Sequence, residues 1–529
     1  MRKNILYIFA LLVTLSLTSC FDDDSTLGNN DVSDITVSGI EDAYTKTAYV
    51  GEKLSISPTV ETGYADSDMD YQWLLLDKKT GTTTAKGDTI QPTVIGTEKN
   101  LNYEVAVAPG TYQVRFIAKS KTNDYTVYKA ASLTVQTNFS QGFYILKETA
   151  DGNTELDMLN NNGELGENLL QQTKGGTLEG KPLSLDINYN MYYINTDDDQ
   201  METTNAITVT TDKKQICVSR STDLKTIFDR NSLLFDVMDA NEQPYGIINS
   251  VMGYLFYFSS KGIRAVSAAS AYTSASSGKF GLPVSSCGGS KYITHDLPSY
   301  GGTVFWDETA HSLMVSDYNA TVSPMTYSDL TGDDLTQNLT DYDCLHIGYN
   351  YMSSEGTATV ILQDKTTAKR YLYQTESSFG GIYLSSRREI SSSLHAATAT
   401  AYSTNGQTAK YIYCVDGGKL YACIFNNDEL SEVELQFQGI GSGETITYVS
   451  NQFWEPDFSG GDEFNYLIVG TQKGDQYKLY MYETVGGAPS GDPVKTVSGK
   501  GTVKSVRYLN PKFDSTDWQF GSHVFNIND

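Results

Sequence analysis

The sequence is poor in helical patterning and in the residues that build disulfide frameworks and metal centres. Helical periodicity is nearly absent from its 529 residues, and only six cysteines and five histidines occur. Five cysteines remain beyond Cys20 (Cys217, Cys287, Cys344, Cys414 and Cys423), an odd and sparse set that excludes a disulfide framework. Cys414 and Cys423 flank the turn residues Asp416, Gly417 and Gly418 of a predicted hairpin. They are expected as small buried hydrophobes rather than a bonded pair. The histidines (His295, His311, His346, His395 and His523) lie far apart, and none has zinc-binding spacing. Gly439-Ile440-Gly441-Ser442-Gly443 places its serine out of step with a nucleophile elbow, and no phosphate loop or dinucleotide fingerprint occurs. No catalytic residue, metal or cofactor is therefore expected. Basic residues are also few, 38 against 64 acidic, for a net charge of −26. So acidic a chain repels phosphate backbones, so nucleic acid is not an expected partner.

Long apolar runs are missing except at the start. Arg2 and Lys3 precede an apolar stretch from Ile5 to Leu17, which ends in Leu17-Thr18-Ser19-Cys20. The plan is that of a secretory leader, too short for a stable spanning helix. The small residues before Cys20 suit a lipoprotein signal peptidase, so residues 1–19 are expected to be removed and Cys20 to be acylated. Phe21 and the carboxylates Asp22, Asp23 and Asp24 follow. That acidic run resembles the lipoprotein export signal of Bacteroidota, which implies surface exposure on the outer membrane. Residues 20–34 read as a polar tether.

What is abundant is tyrosine, 37 residues against 20 Phe and 4 Trp, together with Thr, Ser and Gly. Short runs of alternating apolar and polar residues, separated by Gly, Asn, Asp and Ser clusters, predict an all-β chain. Residues 35–137 carry some seven short strands, as a β-sandwich does. Trp73 lies mid-strand and is expected in its core. Asp66, Asp68 and Asp70 alternate as calcium loops do, but the glycine turn and distal Glu are missing, which predicts a solvated loop.

Residues 138–529 repeat a hairpin signature near Gly142, Met191, Gly253, Thr303, Thr357, Lys410 and Asn465, at intervals of 49, 62, 50, 54, 53 and 55 residues. Regular hairpins at this period predict a β-propeller, seven blades preferred over six or eight.

Tyr71-Gln72-Trp73 and Pro109-Gly110-Thr111-Tyr112-Gln113-Val114 make the sandwich resemble a PKD domain, an immunoglobulin-like fold. With the lipidation motif and the junction Asn138–Asp157, the chain resembles the PKD-like family of Bacteroidota surface lipoproteins. That resemblance implies a setting beside SusC/SusD-type uptake systems and carries over no catalytic residue. Exposed tryptophan stacks on sugar rings or peptide side chains. Trp454, before a Pro/Gly-rich loop, and Trp306, beside Asp307 and Glu308, are the candidate ligand platforms. The expected function is a non-catalytic accessory subunit that captures glycan or peptide or docks on a transporter. The alternatives are a surface glycoside hydrolase or lyase with a propeller catalytic domain, which buried, convergent carboxylates or histidines on the propeller axis would reveal, and a purely structural or adhesive protein.

Overall fold

The computed structural model describes residues 33–510, apart from 49–50, 78–79, 83–88, 108, 197–199, 250–253, 268–276, 285–286, 295–302, 317–320, 328–338, 351–356, 379–380, 407, 427 and 455–463. The chain divides into two compact units, Met1–Gln136 and Thr137–Asp529.

In the first unit, a five-stranded sheet runs in the order Ala43–Thr47, Thr126–Gln136, Gly110–Ser120, Met69–Leu76, Thr93–Gly96, its first pair parallel. Two shorter pairs, Ile35–Ser38 with Thr59–Thr62 and Lys53–Ile56 with Leu101–Glu104, supply the facing layer. Alternation sorts each strand between core and solvent. Trp73, Leu75, Phe116 and Leu133 of the large sheet meet Ile35, Leu54, Ile56 and Leu101 of the small pairs in one cluster. Trp73 is fully buried, 4.7 Å from the Phe116 ring, and its Nε1 donates to the carbonyl of Glu98 at 3.1 Å. Asp66–Asp68 forms one exposed 3-10 turn, and Asp70 pairs with Lys121 at 3.3 Å, so these carboxylates are solvated as expected.

The second unit is a β-propeller, with seven sheets among the described residues. The first combines Gly142–Glu148, Thr154–Asn160 and Leu165–Gly166 with Thr502–Leu509. The second holds Pro182–Asn195, Gln200–Thr211, Ile216–Arg220 and Thr226–Asp229; the third holds Pro244–Asn249, Tyr254–Ser259 and Gly262–Ser267. The fourth holds Thr303–Asp307, Ser312–Ser316 and Val322–Pro324, with Ile293 bridged to Phe305 on its inner side. Tyr342–Asn350, Thr357–Asp364, Arg370–Ser378 and Gly381–Glu389 make the fifth, to whose outer edge Thr326–Tyr327 adds in parallel. Ala401–Thr404, Tyr411–Asp416, Lys419–Ile424 and Ser431–Glu434 make the sixth. The seventh is built on Thr445–Trp454, Phe464–Lys473 and Gln476–Val485, with Lys495–Lys500 outside.

Each sheet is covered on both faces, which explains strands buried almost along their whole length, such as Thr154–Asn160. Seven apolar clusters join each sheet to the next. Leu146 and Met158 of the first meet Ile187 and Val209 of the second, and so on around to Ile468 and Leu479 of the seventh, which meet Phe143 and Val506 of the first. The chain's last described strand closes the ring: Gly142 pairs with Leu509 and Ile145 with Val506. Within Pro182–Asn195 the pairing shifts between Asn188 and Met191, where Asn190 adopts a left-handed φ of 53°. The shift is why Ile187 packs toward the first sheet and Met191 toward the third.

Candidate binding surface of the propeller

An innermost strand has one edge without a strand partner, so its N–H and C=O groups need other partners. Side chains of the neighbouring sheet supply them. Arg507 Nε donates to the Leu185 carbonyl at 3.0 Å, and Asn188 Nδ2 to that of Ile247 at 2.6 Å. Asn249 exchanges two bonds with the backbone of Tyr189, both at 3.0 Å. Asn350 Nδ2 donates to the carbonyls of Asn405 at 2.5 Å and Ala409 at 2.8 Å. Asn451 Oδ1 accepts from Gly406 N–H at 2.7 Å, while its own N–H donates to Ser403 Oγ at 3.0 Å. Gln452 donates to the Val506 carbonyl, and Val506 N–H reaches Tyr448 Oη at 2.9 Å.

Two titratable groups of this ring are shifted by burial. Asp186 is pushed up to about 6 by desolvation, against the opposing pull of Arg507, the Ile247 N–H at 3.2 Å and Ser184 Oγ at 3.2 Å. A side chain at position 246 would strike it, since a Cβ on Gly246 would sit 2.5 Å from Asp186 Oδ2. His346 is held down at about 3 by burial, and its Nε2 bonds Thr404 Oγ1 at 2.8 Å. The two belong to different sheets, and each is committed to neighbouring strands. They stitch the ring and form no acid–base pair. Among the described residues, no group of three or more His, Cys, Asp or Glu side chains could hold a metal ion.

A second feature lies on the outer part of the second and third sheets. The segment Leu233–Val237 runs beside Phe280–Val284: Phe280 N–H donates to the Leu233 carbonyl and Phe235 N–H to that of Phe280, both at 3.0 Å. Arg264, itself buried, ties the two together through Asp236 at 3.0 Å and the Gly281 carbonyl at 2.5 Å. Leu233, Leu234 and Phe280 turn into the core, which leaves the remaining apolar residues outside. Phe235 is 60% exposed, Val237 95%, Leu282 78% and Val284 46%. Four large apolar side chains on two adjoining segments form a patch of the kind that marks an interaction site. Periodicity could not find it, because Leu233-Leu234-Phe235 reads as one apolar run whose exposed member only the fold selects.

The residues singled out from sequence fare differently. Cys20, Asp22, Asp23 and Asp24 lie outside the described residues, as do His295 and His523. Trp454 ends the inner strand of the seventh sheet, paired in register with Phe464, and its side chain is likewise not described. Trp306 is corrected: its ring is fully buried among Val304, Leu313, Val360 and Tyr373 between the fourth and fifth sheets, and presents no face to a ligand. A tryptophan on the second strand of a sheet covered on both faces has no route to solvent. Cys414 pairs with Tyr421 and Cys423 with Ile412, and both are buried free thiols whose ionisation burial pushes up.

A two-layer sandwich followed by a propeller closed by its last described strand defines the class of this protein. Residues 20–182 match the model of the PKD-like family, a span that covers the sandwich and the first strands of the propeller. Among curated proteins none matches the chain. A quinonprotein alcohol dehydrogenase-like protein from Bacteroides thetaiotaomicron is 15% identical over 88% of this chain and 96% of its own, with a TM-score of 0.40. BamB from Moraxella catarrhalis is 14% identical over 63% of this chain and 80% of its own, TM-score 0.25. PorZ, a surface component of the type-IX secretion system of Porphyromonas gingivalis, is 10% identical over 72% and 58%, TM-score 0.21.

Proposed function

We propose that the protein is an outer-membrane lipoprotein, acylated at Cys20 and exposed at the cell surface, that acts by binding and docking rather than by catalysis. The observation that carries the binding role is the patch of Phe235, Val237, Leu282 and Val284, whose exposure leaves apolar surface for a protein partner to cover. The acidic run Asp22–Asp24 supports export, and the resemblance to surface lipoproteins supports a SusC/SusD-like transporter complex as the partner. Glycan or peptide nutrient is the cargo that such a complex would take up. The ring's shifted groups, Asp186 and His346, are bound to neighbouring strands, which gives the hydrolase or lyase reading no support.

The test places a photo-crosslinking residue at Val237 of the full chain in native outer membranes. A crosslink to a transporter subunit, lost in the Phe235→Ser/Leu282→Ser variant, is the expected result. A chain that runs uncrosslinked and turns over members of a glycan or peptide panel would overturn the accessory reading. Cys20→Ala should release the mature chain from the membrane; retention would contradict the anchor.

A further inference from the structure

The outward face of the sandwich's five-stranded sheet departs from what a solvated sheet face usually carries. Such a face is ordinarily polar, with the apolar residues turned inward. Here Val94, Leu74, Arg115 and Ala130 stand in one cross-strand row, and Gln72, Ile117 and Tyr128 in the next. Val94 is 50% exposed and Tyr128 65%, and Leu74, Leu76 and Ile117 are partly exposed around them. Arg115 occupies the middle. Its guanidinium lies 5.2 Å from the Tyr128 ring centre and donates through Nη2 to Gln113 at 2.8 Å, while Nε is buried with no hydrogen-bond partner among the described residues. Nearby lysines are neutralised, Lys119 by Asp124 at 2.6 Å and Lys121 by Asp70 at 3.3 Å. Arg115 has no carboxylate partner among the described residues.

We propose that this face docks a protein partner that presents a carboxylate set among apolar side chains. Charge selects the occupant. An arginine ringed by Leu, Ile, Val and Tyr is the residue combination that anchors protein interfaces, and its planar donors match a carboxylate two-point. The docked acid pairs with the guanidinium, and the partner's apolar side chains cover the rows around it. This surface belongs to a different unit from the propeller patch and goes beyond the function proposed above.

The test uses the full chain in detergent and two amidated peptides, one alternating Phe with Glu and one alternating Phe with Lys, followed by fluorescence anisotropy. The chain's charge of −26 favours the Lys peptide everywhere else, so a preference for the Glu peptide can arise only at a local cation. Tenfold tighter binding of the Glu peptide is expected, with Arg115→Gln abolishing the preference, Arg115→Glu inverting it and Tyr128→Ser weakening both peptides. Equal binding of the two peptides overturns the proposal, as does a preference that Arg115→Gln leaves intact. Concentration-dependent self-association abolished by Arg115→Glu also overturns it, in favour of a second copy of the chain. Arg115 lies on an outward face, so the unfolding midpoint of the Arg115→Gln variant should match that of the parent.

Discussion

The seam where the first and seventh sheets meet contains a buried ion pair whose removal should be costly. Lys147 Nζ lies 2.7 Å from Asp157 Oδ2, and the two side chains are 1% and 0% exposed. Asp157 also accepts from Tyr477 Oη of the seventh sheet at 2.7 Å and from Asn168 N–H at 2.7 Å. In Lys147→Met the carboxylate keeps both neutral donors and loses its only counter-charge at hydrogen-bond distance. Breaking one side of a buried pair costs about 3–5 kcal/mol, because the surviving charge stays desolvated. The Coulomb attraction itself is not the measure, since most of it offsets the desolvation of the two ions. Lys147→Met/Asp157→Asn removes the stranded charge: the amide oxygen keeps the Asn168 N–H, and the amide NH2 meets Tyr477 Oη, whose hydroxyl turns to accept. At least about 2 kcal/mol of the loss should return, since a neutral amide is far cheaper to bury than a carboxylate. The assay is equilibrium urea unfolding of the Cys20→Ala chain, reading the propeller transition with its slope fixed. A single-variant cost under about 1 kcal/mol, or a double variant no more stable than the single, would refute the reasoning that burial makes this pair interdependent.

Asp186 gives stability a pH dependence of opposite sign to that of a salt-bridged carboxylate. Its folded value of about 6 lies above the ordinary 3.8, so its contribution is fully present below about pH 4 and is lost as pH rises through 6, about 3 kcal/mol in all. Asp186→Asn should flatten that part of the unfolding profile between pH 4 and 7; an unchanged slope would show that the carboxyl titrates normally. Asn451→Ala strands the buried Gly406 N–H and should cost about 1–3 kcal/mol by urea unfolding, whereas a neutral result would mean that water replaces the bond. Gly278→Ala forces a Cβ to within 1.7 Å of the Tyr192 carbonyl at a φ of +75°, so a loss of about 3 kcal/mol or more is expected. A Tm within a few degrees of the parent's would show that this contact opens readily.

Much of the fold could be read from short-range pattern, because a hairpin is a local object. Each of the seven expected hairpins falls on a pair of adjacent strands in a different sheet, from Gly142–Glu148 with Thr154–Asn160 to Phe464–Lys473 with Gln476–Val485. The ring closure was not legible. Thr502–Leu509 looks like any other strand, and nothing local states that its partner is Gly142–Glu148 at the other end of the unit. The candidate surfaces were less legible still, since exposure is decided by which neighbour covers a residue. Trp306 and Phe235 sit in similar apolar runs, yet the first is sealed between two sheets and the second is left outside.

The inner strands carry one further sequence signal. Asn188, Asn249, Asn350, Asn405, Asn451 and Asn510 fall in or just after the inner strands of six sheets, each following an apolar or hydroxyl residue. Asparagine disfavours strand interiors, so its return at the same structural position asks for a reason. The hydrogen bonds supply it: a short amide offers both a donor and an acceptor to the unpaired edge of the adjacent sheet, as Asn249 does to Tyr189 and Asn451 to Gly406. Aspartate at such a position can only accept, and Asp186 shows the consequence, a carboxyl whose burial drives it toward the neutral form. The choice of amide over acid inside so acidic a chain follows from the inner ring's need for donors. The surplus of carboxylates is left to the exposed turns.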